Sequence, residues 1–402
     1  MTMSEPSSGP AIASPGSAMI VGAGLGGLTV ALALLRSGWR VRVFEQAPQL
    51  GEVGAGITLS PGAGRGLASL GVEAEVLSHS LPVPDIAFVH YRTGELLAGV
   101  LREETPPDNG FETPRHIHRA DLHAVLTAAV LRRDSEAIAT GKRLVDLAPD
   151  RSGVTARFAD GGSARADIVI GADGARSMVR KLLFDDTPPD FAGQIAFRCL
   201  IPRETAAGHM QGGNAVVSIG ASRIFNRYLV RGGALVNVIG IAQCDRWVAE
   251  GWNTPATVEE FLQEYRGFHE GVLSLIRLSP PSTLIKWGLF VRPPLETWSS
   301  GRVVLVGDAA HPILPFLGLG AALAIEDAVV LGRALSLTAD PRAAFAGFQN
   351  ARFERVETVR TQSILQGEIN QSRDPDAGGV TASPSQKTDL FGYDPCAAPL
   401  HV

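Results

Sequence analysis

The sequence predicts an α/β fold in two parts, one built on a parallel sheet and the other a mainly β-sheet part covered by helices. Three observations carry this. An apolar run at 18–21 is followed by glycines at 22, 24 and 27 and by an apolar stretch of helical length to Leu35. Two more apolar runs, 166–170 and 302–306, each deliver an aspartate–glycine pair to a turn before a helix, at Asp173-Gly174 and Gly307-Asp308. Between them, from 191 to 242, the pattern changes to strand after strand without any such glycine turn.

The first stretch carries a specific chemistry. Gly22 permits a tight turn, Gly24 lets the backbone approach a pyrophosphate, and Gly27 lets helix and strand pack closely. The helix N-terminus then presents free N–H groups and the positive end of its dipole to the anion. A second strand, 40–44, ends in Glu45, 23 residues after Gly22. A carboxylate there can accept hydrogen bonds from ribose hydroxyls and would repel a 2′-phosphate. A lone GxGxxG arises easily by chance in a chain with 45 glycines. Strand, glycines, helix, strand and acid in this order make it an adenine dinucleotide site.

Composition narrows the class. The 402 residues are 45% hydrophobic and 19% charged, ordinary for a globular protein of two or three domains. A net charge of -5 gives no reason to expect nucleic acid or an anionic membrane as partner. Cys199, Cys244 and Cys396 are too scattered for a disulfide framework or a metal site, so a reducing cytoplasm is the simplest home. Residues 18–35 carry no charge, but four glycines interrupt the run and no Lys or Arg precedes it. A membrane span and a secretory signal are both rejected.

The elements follow in order. Residues 1–16 read as a disordered leader. A Gly-rich loop at 51–56 runs into a short strand, and Pro61 opens a helix that Gly71 stops. Short β-runs at 86–92 and 95–101 meet at Thr93-Gly94, followed by a Pro-rich loop to 114. An extended piece at 116–119 leads into a helix over 120–131, then β-runs at 142–148, 153–159 and 163–170 and a helix from Arg176 to Leu183. Strands are expected at 192–201, 215–219, 223–231, 234–242 and 283–291, with helices near 257–266, 269–277, 319–337 and 341–371. Residues 372–402 read as a loosely packed tail.

At this point the chain resembles a known family, the single-component FAD-dependent aromatic hydroxylases with the p-hydroxybenzoate hydroxylase fold. All three of that family's fingerprints are present, the dinucleotide motif at 22–27, the DG motif at 173–174 and the GD motif at 307–308. The stretches His116-Ile-His118-Arg119-Ala-Asp-Leu-His123, Ala-Ile-Glu326-Asp327-Ala and Phe-Gly-Tyr393-Asp394 look like the salicylate, 3-hydroxybenzoate and 6-hydroxynicotinate hydroxylase branch. The resemblance spans roughly 18–370 and implies a Rossmann-like FAD-binding domain over 17–80, 112–185 and 283–371. A substrate domain would take 81–111 and 186–282, leaving 372–402 as a C-terminal tail.

The resemblance also implies a mechanism. NADH or NADPH acts as transient reductant of non-covalent FAD, O2 adds to give a C4a-hydroperoxide, and one oxygen passes to a small aromatic or heteroaromatic ring. Gly22, Gly24, Gly27 and Glu45 would hold the adenosine diphosphate half. Asp173 and Gly174 would support the pyrophosphate region and the nicotinamide donor. Gly307 and Asp308 would hold the ribityl chain and Arg119 would stand near the flavin. The N–H groups of the loop holding Gly318, Gly320 and Ala321 would face the N1–C2=O edge. His311, Pro312 and Tyr228 are the candidates for the catalytic surface. A homodimer is compatible with the reading.

One departure stands out. Hydroxybenzoate- and hydroxynicotinate-specific members carry a Gln or His just after the GD motif, where residues 313–317 here are wholly apolar. Ile224 falls where they place a histidine on a substrate-domain strand. Either the substrate ring is already electron-rich or another group serves, with Tyr228, Asn226, Arg227 and Arg198 as candidates. His116, His118 and His123 lack an acid or cysteine at ligand spacing, so no metal site is expected. A structural role in shaping the turn is the leading reading of His311, and Arg352, Arg355 and Arg360 read as a solvated helix face. A different enzyme class on the same scaffold is another flavin-dependent oxidoreductase or a halogenase; a halogenase would carry Trp-x-Trp, and no two of the tryptophans at 39, 247, 252, 287 and 298 are so spaced. A flavin-binding module without catalysis is the non-enzymatic alternative.

Overall fold

A computed structural model describes residues 15–51, 55–83, 86–99, 108–210, 213–245, 247, 254–371 and 390–402. Most of the expected leader, the centre of the 51–56 loop, the first part of the Pro-rich loop and the first half of the tail lie outside these residues.

The central sheet runs in the order Ser299–Ser300, Val303–Leu305, Ile168–Gly171, Ser17–Val21, Arg40–Phe44, Ile138–Ala139. All neighbours but the first pair are parallel. The middle strands are apolar because helices cover them from both sides. Ala18 to Val21 and Ile168 to Ile170 are all buried. Helix Leu25–Arg36 packs on helices Arg119–Arg133 and Gly320–Leu337, and helix Pro341–Asn370 packs on the latter. This arrangement brings the C-terminal ends of three parallel strands to one edge. Turns 22–24, 172–174 and 306–308 therefore meet there, as open parallel sheets require of a ligand crevice.

The second sheet has eight strands, ordered Thr254–Pro255, Ile285–Val291, Asp190–Pro202, Leu235–Gln243, Arg223–Val230, Ala215–Gly220, Ala87–His90, Leu96–Ala98. Its alternation separates two faces. Ile195, Phe197, Cys199 and Ile201 turn towards helices Val258–Glu264 and Glu270–Arg277, with Phe197 stacked on Phe261 at 4.7 Å. The intervening Ala196, with Ile224, Ile241 and Leu289, packs on the other side with Trp287, Leu314 and Phe316. Arg198 shares that side and opens into the crevice.

Five expectations need correction. Residues 285–291, placed by sequence with the cofactor half, pair antiparallel with Asp190–Pro202 in the second sheet. The run 163–170 is two strands, because Asp167 bends out to accept hydrogen bonds from the Ser17 N–H and hydroxyl and divides the run between two sheets. Helix Glu73–His79 and strand Ser80–Pro82 were not anticipated; the strand completes a small sheet with Gly56–Leu59 and Arg115–His118. The described end of the tail is docked, with Leu390 and Ala398 buried and Arg333 donating to the Pro395 and Ala398 carbonyls at 2.7 and 3.0 Å. Arg352 and Arg355 are buried rather than solvated, for they pair with Glu326 and Asp327 on the facing helix.

Candidate active site

The dinucleotide loop has the geometry its glycines imply. Gly22 sits at φ +101°, and its N–H donates to the Phe44 carbonyl at 2.8 Å, carrying the sheet into the turn. A Cβ on Gly27 would stand 2.0 Å from the Gly22 carbonyl oxygen, whereas one on Gly24 would meet nothing within 4 Å. Gly24 caps helix Leu25–Arg36 with no side-chain hydrogen bond, and the first turn holds no acid. Helix Gly320–Leu337 begins likewise uncapped, with no acid in its first turn. Two bare helix N-termini thus open on one crevice, an arrangement suited to a pyrophosphate and a delocalised anion.

The crevice has two connected chambers. One, of about 720 Å³, runs past Gly22, Gly24, Lys142, Arg143, Gly320 and Ala321. The other, of about 740 Å³, is walled by Arg198, Trp287, Leu289, Ile313, Leu314 and Pro315. Gly24, Glu45, Arg119, Asp173, Gly174 and Asp308 line both. Six of the expected cofactor residues therefore meet at the junction, while Gly22, Gly307, Gly320 and Ala321 line the first chamber alone and Gly27 and Gly318 line neither.

The three acids differ in what they do there. Glu45 accepts the N–H of Ala23 on one oxygen and that of Ala47 on the other, both at 2.8 Å. Asp173 accepts the Ser177 hydroxyl at 2.5 Å and the N–H groups of Met178 and Val179 at 2.7 and 3.1 Å. Burial pushes its carboxyl above the usual range against these hydrogen bonds. Asp173 is thus a helix cap that also walls the crevice. Asp308 opens into the crevice although protein surrounds it. Desolvation raises its carboxyl, while His311 and Arg119 pull the other way.

The catalytic candidates fare differently. Pro312 lines the larger chamber. His311 does not, and its Nε2 lies 2.6 Å from Asp327 beside the Trp298 ring. That imidazole is committed to holding the turn after Asp308. Tyr228 is also absent from the chamber walls. It is buried against His116, ring centroids 4.0 Å apart, and its phenol is driven up by desolvation. Arg227 is buried with its guanidinium on the Gly213 carbonyl. Of the groups weighed for substrate activation, Arg198 reaches the chamber, its guanidinium 5.3 Å from the Trp287 ring centroid.

The histidines do not converge. His116 is pushed down to about 3 by burial, His118 faces Arg231, and His123 Nε2 lies 2.8 Å from the Ala23 carbonyl. Among the described residues no cluster of His, Cys, Asp or Glu could hold a metal ion. Sequence reasoning weighed His123 only as a metal ligand and missed that it supports the glycine loop from another helix. Gln46, Gln49 and Arg292 at the crevice were likewise unforeseen, and no motif spacing marks them, whereas Arg176 there follows the Asp173-Gly174 turn. Among the described residues no helix is long and apolar enough to cross a membrane.

A glycine-lined dinucleotide crevice joined to a second chamber, walled in part by apolar side chains, fits a flavin-dependent monooxygenase. Residues 17–198 and 241–361 match the FAD-binding-domain family, and the chain belongs to it. It is 33% identical over 386 residues to 6-hydroxynicotinate 3-monooxygenase of Bordetella bronchiseptica, covering 95% of this chain and 96% of that one. It is 34% identical over 347 residues to 3-hydroxybenzoate 6-hydroxylase 1 of Aquipseudomonas alcaligenes, covering 86% and 87%. The fold matches Klebsiella pneumoniae HpxO complexed with FAD and uric acid at a TM-score of 0.79 and 26% identity, covering 94% and 93%.

Proposed function

We propose that this FAD-dependent enzyme uses NADH or NADPH and O2 to hydroxylate a small, electron-rich aromatic or heteroaromatic ring held in the larger chamber. The observation that carries the reading is the set of residues shared by both chambers, which suits a cofactor running through the smaller one with a ring lying in the other. When bound, FAD supplies the two-electron redox chemistry and O2 activation that no side chain offers.

The chain's own residues bind, orient and exclude water. The Gly22–Gly27 loop and its helix N-terminus hold the pyrophosphate, and Glu45 the adenosine ribose. Asp308 takes the polyol. The N–H groups of Gly320 and Ala321, on the second bare N-terminus, stabilise charge that accumulates on the ring system during reduction. Leu289, Ile313, Leu314 and Pro315 keep the larger chamber dry. Arg198, braced on Trp287, orients an oxygen or carboxylate of the substrate. Residues 313–317, just after the Asp308 turn, carry no histidine or glutamine, and Ile224 lies in an apolar cluster. The activating electron density therefore comes from the substrate's own substituent. The relatives named above act on hydroxylated rings of this kind. The three free cysteines favour a reducing cytoplasm.

The test is to purify the protein and follow NADH and NADPH oxidation against hydroxybenzoates, hydroxypyridines and larger phenols, with mass analysis of the products. A yellow protein whose oxidation of reductant is stimulated by one compound, giving a product heavier by one oxygen atom, supports the reading. A yellow protein that none of them stimulates removes the simple-ring substrate.

A further inference from the structure

The helix Pro341–Asn370 and the C-terminal end of the chain converge on a buried ion cluster behind the crevice. Arg352 Nε donates to Asp327 Oδ1 at 2.8 Å, and its terminal nitrogen lies 2.8 Å from Glu326. Arg355 reaches both Glu326 oxygens at 3.2 and 3.3 Å. The other Asp327 oxygen accepts the Gly307 N–H at 2.9 Å and faces His311 Nε2 at 2.6 Å. Asp327 therefore grips both ends of the turn that aims Asp308 into the crevice. The outer side of the cluster is covered by one aromatic ring. Tyr393 stands 4.7 Å from the Arg352 guanidinium and 5.2 Å from that of Arg355. Its segment is latched by Arg65, which pairs with Asp394 at 3.3 Å and donates to the Tyr393 carbonyl at 3.2 Å.

We propose that Tyr393 is a positioning residue for the cofactor site: the C-terminal segment, by roofing Arg352 and Arg355, fixes the Asp327 carboxylate and through it the Gly307–His311 turn. A guanidinium over an aromatic face keeps its charge with little hydration, so its hydrogen bonds go to the carboxylates rather than to water. Without the ring, water reaches the pair, the buried ion pairs weaken, and the turn loses its fixed hydrogen-bond partner. The inference rests on the reading that Asp308 faces the polyol of FAD.

The experiment measures FAD dissociation constants of the full-length apoprotein by flavin fluorescence, with the apoprotein melting temperature beside them. Tyr393→Leu is expected to weaken FAD about tenfold, whereas Tyr393→Phe, which keeps the aromatic face, stays within about threefold of the unsubstituted protein. Arg65→Gln releases the latch at a half-exposed site, so it reads the same coupling if Tyr393→Leu fails to fold, and it is expected to weaken FAD by about threefold. Unchanged FAD affinity in both Tyr393→Leu and Arg65→Gln would overturn the proposal, as would equal losses in the Leu and Phe variants. Asp308→Ala separates the two levels. If it leaves FAD affinity unchanged, the reading of Asp308 itself fails; if it weakens FAD while Tyr393→Leu and Arg65→Gln do not, the positioning role alone fails.

Discussion

The carboxylate of Glu45 accepts a hydrogen bond from the backbone N–H of Ala23 at 2.8 Å. The acid at the end of the second parallel strand thus touches the glycine loop at the end of the first, 22 residues earlier. With the Ala47 N–H on its other oxygen, the carboxylate is fixed in place before any ribose arrives. Charge-assisted hydrogen bonds of this kind are worth about 1.5–3 kcal/mol. Glu45→Ala is therefore expected to weaken FAD by about 10- to 100-fold in a fluorescence titration. A Glu45→Ala protein that binds FAD as tightly as the parent would remove this role.

The glycines divide into those the fold needs and those the cofactor needs. A methyl at Gly27 collides with the Gly22 carbonyl, so Gly27→Ala is expected to lower unfolding free energy by about 1–3 kcal/mol even without cofactor. A methyl at Gly24 meets no protein atom within 4 Å and occupies the path of the pyrophosphate. Gly24→Ala should melt with the parent apoprotein yet gain little of the stabilisation that saturating FAD confers, about 2.7 kcal/mol at a hundredfold excess over the dissociation constant. Thermal scans with and without FAD check both.

Asp327 makes acid stability a readout of the buried cluster. Burial on its own would raise its carboxyl. The charges of His311 and Arg352, with hydrogen bonds from His311 and Gly307, hold it well below the ordinary 3.8. A carboxyl depressed by folding adds stability that is complete above its unfolded value and drains away as pH falls towards the folded one. Asp327→Asn is expected to be less stable than the parent at neutral pH, with the gap narrowing below about pH 4. Denaturant titrations from neutral to acid pH measure it, and a gap that widens in acid would contradict the assignment.

Asp308 presents the opposite sign. Its carboxyl is raised by the protein packed around it, but it stands exposed in the open crevice, so water screens most of the cost of its charge in the apoprotein. Asp308→Asn should leave the apoprotein melting temperature at neutral pH unchanged or slightly raised while weakening FAD. A variant that melts lower without cofactor would show that Asp308 has an unrecognised structural partner.

Tyr228 and Arg198 test the walls of the larger chamber. Tyr228 packs on His116 away from the chamber, so Tyr228→Phe is expected to keep kcat and KM within about twofold. Arg198→Gln leaves the apolar wall and removes the cation beside Trp287, and is expected to raise KM more than it lowers kcat. Steady-state kinetics with the stimulating compound distinguishes them.

The sequence by itself determined the parallel-sheet architecture, the three strand-end turns and some of the residues that line the crevice. Those features are local. A tight turn, a close backbone approach and a bare helix N-terminus each demand particular residues within a few positions, so Gly22, Gly27, Glu45 and Gly307-Asp308 announce themselves. Tertiary structure decided what the remaining polar residues do. Arg198 points into the chamber because strand alternation sends Phe197 and Cys199 the other way, and which face is the core depends on helices more than 50 residues later. Arg352 looked like a solvated helix charge, and only the helix Gly320–Leu337 packed beside it supplies the carboxylates that bury it. His311 beside the third motif and Tyr228 on a strand of the second sheet carried chemistry-bearing side chains, yet burial committed one to Asp327 and the other to His116. Ion pairs and ring contacts join positions far apart in the chain, and no spacing rule encodes which pairs the packing will bring together.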